Sequence, residues 1–157
     1  MEAYLIATAC TKFEKKADQT FKSLTEEVYC DLLKSAKVEN GNMIGQAWFG
    51  NCGMGTFGQN NIRGQVCFTP LVQKKLFPER VGIINVEGGC ATGSMAFHGA
   101  WKDVISGTED VSLAIGVEKI YQPNQPEKIQ EIYDGGIDQF DRNDWLEFYQ
   151  SLLDWLL

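Results

Sequence analysis

The chain has a single histidine, no C-x-x-C pair, and no apolar run approaching the ~18 residues that a membrane span requires. Each shortage removes a class of function. One histidine and five irregularly spaced cysteines (Cys10, Cys30, Cys52, Cys67, Cys90) suit neither a zinc site nor a disulfide framework, so no metal is expected. The cysteines read as free thiols of a reducing compartment. Positive charge is also short: 14 Lys and Arg against 21 Asp and Glu leave a net charge of −7. Affinity for nucleic acid is built from Lys and Arg that neutralise phosphates, so nucleic acid is a poor partner. Residues 127–154 hold eight acids against Lys128 and Arg142 and read as a solvated acidic surface. The first residues carry no basic leader segment, and with no membrane span the expected location is the cytoplasm.

What is present is enough for one compact domain: 157 residues, 44% hydrophobic and 11% aromatic. Residues 3–9 form an apolar run that reads as a strand. Phe21, Leu24, Val28, Leu32 and Leu33 then fall on one helix face. A second strand is expected over 43–49, followed by a glycine- and asparagine-rich loop to Arg63. Thr69 and Pro70 suit the N-cap and first position of a short helix over 69–77, closed by Pro78. The β-branched run 81–86 reads as a strand, 91–106 as a helix stopped by Gly107, and 111–117 as a further strand. Strands alternating with helices, several apolar on both faces, predict an α/β layer with a largely parallel sheet. After Glu118 the composition turns to Pro, Asn, Gln, Glu and Gly, which predicts a loop excursion. From Asp141, a plausible N-cap, Trp145, Phe148, Tyr149, Leu152, Leu153 and Leu156 take up helical spacing again. The division expected is an α/β domain over 1–119, then 120–157 as the start of a loop domain ending in an acidic amphipathic helix.

Cys90 lies between the end of a predicted strand and the first turn of a predicted helix. Ligands of open α/β sheets bind outside the carboxyl ends of the strands, so a reactive group is expected there. Unpaired N–H groups and the dipole at a helix N-terminus favour a thiolate. Gly88 and Gly89 permit a tight turn, and the small residues Ala91, Thr92, Gly93 and Ser94 leave the helix start open. The bland reading is that Cys90 is one more small buried apolar residue.

The stretch Val86-Glu87-Gly88-Gly89-Cys90-Ala91-Thr92-Gly93-Ser94-Met95-Ala96-Phe97-His98 resembles the nucleophile segment of thiolases, most nearly those of the sterol-carrier-protein and archaeal branch. Ser112-Leu113-Ala114-Ile115-Gly116-Val117-Glu118-Lys119 is similar to the strand that follows it. Thr11-Lys12-Phe13, Gly50-Asn51 and Cys67-Phe68-Thr69-Pro70 match the same pattern, so the resemblance runs over residues 3–150. It implies the N-terminal half of a layered α-β-α fold and an acyltransferase of lipid metabolism that works on coenzyme A thioesters as substrates, with no tightly bound cofactor. By the same resemblance Cys90 would carry the acyl group as a thioester, which splits one transfer into two easier steps, and its backbone N–H would be one oxyanion donor. Beta-ketoacyl synthases share the fold and rank second among enzymes. Their nucleophile segments usually place serines after the cysteine.

In thiolases a histidine base, a second cysteine and a glycine-rich oxyanion turn come from the C-terminal half, while the N-terminal half regains a fifth strand after the loop excursion, a continuation that residues 151–157 do not match. His98 lies eight residues past Cys90, which is about 12 Å along a helix at 1.5 Å per residue, beyond reach of general-base contact. The other cysteines sit in no segment like the family's second cysteine and read as structural. The expectation is half of an active site, in a truncated, frameshifted or split product, working as a homodimer or with a chain that carries the C-terminal half. The alternative is a non-catalytic subunit or remnant. Gly53-Met54-Gly55-Thr56-Phe57-Gly58 has the G-x-G-x-x-G spacing of a dinucleotide site, but no helix start follows it, so a flexible loop near the site is the better reading.

Overall fold

The computed structural model describes residues 2–141 together with Asn143, Glu147, Gln150 and Ser151. Helix α1 (Phe21–Ala36) starts at a capping box in which Thr20 and Ser23 satisfy each other's backbone N–H, and ends at Lys37 in the left-handed conformation. Strand β1 (Gln46–Gly50), α2 (Arg63–Gln73), β2 (Gly82–Val86), α3 (Thr92–Ser106) and β3 (Ser112–Gly116) follow, then α4 (Glu127–Asp134). The strands form one parallel sheet in the order β2-β1-β3.

Adjacent residues of a strand face opposite sides of its sheet, and β1 uses both. Phe49 packs on Phe68 of α2 at a centroid distance of 6.2 Å. Trp48 lies against Gly99 of α3 and donates from Nε1 to Asp103 Oδ2 at 2.7 Å. Helix α2 therefore covers one face and α3 the other. On the α2 side, α1 adds Tyr29, whose ring meets Phe68 and Phe77 at 5.9 Å each. This is the layered α-β-α arrangement, with a largely parallel and incomplete sheet, that the sequence predicts.

Three expectations change. Residues 3–9 form no strand: Tyr4, Leu5 and Ile6 are 77%, 69% and 68% exposed, and the segment runs beside a groove of about 500 Å³ also lined by β3. A strand requires a partner for its ladder, and none reaches this one. Helix α2 starts at Arg63 and carries Pro70 inside it, so Thr69 is no cap; its hydroxyl donates back to Gln65 O at 2.9 Å. Burying Gly64, Cys67, Phe68 and Leu71 along one face outweighs the backbone bond that proline forfeits. The excursion after Glu118 contains α4, which packs on the 53–57 turn through Ile132. The helix expected on Trp145, Phe148, Tyr149, Leu152, Leu153 and Leu156 lies outside the described residues.

Candidate active site

Register aligns Gly50 with both Val86 and Gly116, so the three parallel strands end flush. The residues just beyond those ends form one cluster: Asn51 and Cys52 after β1, Glu87 to Cys90 after β2, and Glu118 after β3. Asn51, only 1% exposed, ties the rim together. Its Nδ2 donates to Val117 O at 2.7 Å, and its Oδ1 accepts from the Met54 N–H at 3.0 Å. Arg63 donates to Asn51 O at 2.6 Å from the start of α2.

The turn that carries Cys90 is built by its neighbours. Thr92, buried at the start of α3, accepts from the Gly88 N–H at 2.9 Å and donates to Gly89 O at 2.8 Å. Glu87 accepts from the Gly89 N–H at 2.8 Å. Gly89 has φ +56°, where a side chain would be strained. Cys90 follows in a 3-10 turn (Gly89–Ala91) that runs into α3, and it is exposed. The N–H groups of Gly88, Gly89 and Ala91 all have acceptors, the last being Gly88 O at 3.0 Å. The Cys90 N–H donates to no protein acceptor among the described residues.

Cys52 is the residue that sequence reasoning missed. Its Sγ lies 3.3 Å from Glu87 Oε1, 3.3 Å from Gly89 O and 3.4 Å from Thr92 Oγ1, against the same turn. Burial, chiefly, and the neighbouring Glu87 and Glu118 carboxylates push its thiol above the usual range. Glu87 moves the other way: the Gly89 N–H and the Cys52 thiol hold its carboxyl below the ordinary value. Glu118 accepts from the backbone N–H groups of Cys52 and Gly53. Its residue is exposed overall, but the protein around the carboxyl group withdraws enough solvent to raise its pKa. The sequence signal for Cys52 is its place two residues beyond a parallel strand.

His98 is exposed on α3 and stacks on Trp101 at 5.5 Å. Cys67 is buried in the core, Cys30 half-buried on α1 and Cys10 exposed near the N-terminus. The 53–58 glycines form a 3-10 turn (Gly53–Phe57) ended by Gly58 at φ +93°, with five residues between it and the next helix. A dinucleotide turn opens directly into a helix, so this one lacks the context. Among the described residues no three His, Cys, Asp or Glu side chains are grouped to hold a metal, and no helix is long and apolar enough to cross a membrane.

Residues 3–146 match the family described as thiolase, N-terminal domain. The benzoylsuccinyl-CoA thiolase subunit BbsB of Thauera aromatica is 32% identical over 117 residues, which are 74% of this chain and 28% of that protein. An acetyl-CoA acetyltransferase of Methanocaldococcus jannaschii shows the same identity and the same shares. The matched region thus spans little more than a quarter of either relative's length. With the family match covering most of its length, the chain belongs to the thiolase family, of which it holds the N-terminal part.

Proposed function

We propose that Cys90 takes an acyl group from a coenzyme A thioester and passes it to a second acceptor, as half of an acyltransferase site. The observation that carries this is the turn itself, which presents on one exposed residue a thiol and a backbone N–H with no protein acceptor among the described residues. Cys90 Sγ attacks the thioester carbonyl carbon, and the developing oxyanion takes the Cys90 N–H. Collapse expels the coenzyme A thiolate and leaves the acyl group on Cys90. Transfer to the acceptor then frees the cysteine.

His98, stacked on Trp101, is no base for this step, and the thiolase resemblance places the base and the remaining oxyanion donors in a C-terminal half. A complete site pairs Cys90 with such a half, and its substrate is acyl-CoA. The names of the two relatives, a thiolase subunit and an acetyltransferase, support the same class. A non-catalytic subunit is the second reading, favoured by the lack of a histidine beside Cys90. Measuring coenzyme A release from acetyl-CoA, for this chain alone and mixed with a chain carrying the thiolase C-terminal half, separates the two. Turnover in the mixture that vanishes with Cys90→Ser supports the acyltransferase. A mixture no faster than its C-terminal partner alone supports the non-catalytic subunit.

A further inference from the structure

Cys52 and Cys90 come from different strand ends, yet they meet at one turn. Cys52 Sγ is 3.3 Å from Gly89 O, and the planar peptide puts Cys90 Cα about 3 Å beyond that oxygen. The Cys52 sulfur is thus within about 6 Å of the Cys90 backbone, which side-chain rotation and a small shift of the turn convert to bonding geometry. The turn is open on one side, since nothing lies within 4 Å of the position a Gly89 side chain would occupy. Cys10 and Cys30 have no such neighbour among the described residues, and Cys67 faces Met54 inside the core.

We infer that Cys52 and Cys90 form a reversible disulfide when the protein meets a small-molecule disulfide, which makes Cys52 a second reactive thiol of this site. The exposed Cys90, having lost its proton to water, attacks the small disulfide RSSR. An Sγ–SR bond forms and one RS⁻ leaves. Cys52 then attacks Cys90 Sγ as its thiolate, its proton passing to water. The protein S–S bond forms and the second RS⁻ leaves, taking up a proton. Two protein thiols are oxidised and one RSSR is reduced to two RSH. Burial keeps Cys52 protonated near neutral pH, so Cys90 is the thiol that meets the reagent first. The closed form has no free thiol for acyl transfer, and RSH restores it. None of this depends on the acyltransferase reading, because it needs only the two thiols and their geometry.

The test uses the full chain, reduced, desalted and incubated with oxidised glutathione, then digested with trypsin without reductant. Cys52 and Cys90 fall in separate peptides, 38–63 and 81–102. The expected product is these two peptides joined with the loss of two hydrogens, reversed by dithiothreitol and absent in urea. In Cys52→Ser, Cys90 is expected to stop at the glutathione adduct. Failure would be Cys90 left as that adduct in the unaltered chain, Cys90 unmodified, or the joined peptides in equal yield folded and in urea. Acylation of Cys90 is read separately, on the reduced unaltered chain with acetyl-CoA, so the acyl and disulfide results can fail independently.

Discussion

Asn51 shows how one side chain holds the rim of the site. It bridges β1 to Val117 beyond β3 and also anchors the Met54 N–H. Asn51→Ala leaves both backbone groups without their partner, and we expect a loss of about 1–3 kcal/mol for the buried unsatisfied group. Urea unfolding measures it; a change well below that range would mean the rim closes without Asn51. Tyr29 is a titratable residue of the core. Burial raises its phenol well above the ordinary value, and its hydroxyl donates to Leu76 O at 3.1 Å. Leu76 O also accepts the Gly41 N–H at 2.8 Å, so Tyr29→Phe orphans nothing and should cost about 0.5–1.5 kcal/mol, one ordinary hydrogen bond. A raised pKa in the fold means the folded chain holds this proton more tightly. The stabilisation is complete below the unfolded value near 10 and lost as pH rises above it. Alkaline unfolding followed by circular dichroism should therefore fall away less steeply in Tyr29→Phe than in the unaltered protein.

Helix α3 serves both core and site, and Gly99 allows it to lie close to β1. A methyl group there would overlap the Trp48 ring. Gly99→Ala is expected to cost about 1–3 kcal/mol by overpacking, read from the thermal midpoint. A neutral result would mean Trp48 has room to turn away, despite its bond to Asp103. The elements differ in how plainly they can be read from sequence. Helices α1 and α3 and all three strands of the sheet carry strong periodicity or β-branched runs, so their approximate places are legible. The Gly107 stop of α3 is too, and it sits at φ +74° as a left-handed cap should. Pro70 misled because local propensity points to a helix start, whereas burial of Phe68 and Leu71 decides the matter from outside the segment. Residues 3–9 misled in the opposite sense: their apolar composition suits a strand, but a ladder depends on a neighbour that composition does not reveal. The strand-to-helix turn that carries Cys90 was legible because it is contiguous in sequence. Cys52 was not, since 38 positions separate it from Cys90 and only the parallel register brings them to one rim.

At the scale of the molecule, apolar surface is left uncovered. Met95, Phe97 and Trp101 on α3 are 45%, 55% and 43% exposed, and Tyr4, Leu5 and Ile6 lie along the same groove as Phe97 and Trp101. Exposed apolar side chains gathered along one groove are a common mark of an interaction surface. The chain should therefore sediment as more than a monomer, or bind a chain carrying the C-terminal half, with either association weakened by Trp101→Glu. A monomer at every concentration that also ignores such a partner would contradict this.

The proposed role of Cys90 as an acyl acceptor is open to direct measurement. The chain is incubated with acetyl-CoA, alone and with a C-terminal-half partner, and peptide 81–102 is examined by mass spectrometry. The predicted result is an acetyl group on Cys90, released by hydroxylamine as a thioester is and absent in Cys90→Ser. No acetyl group on Cys90 under either condition, or one equally abundant on Cys10, would contradict it.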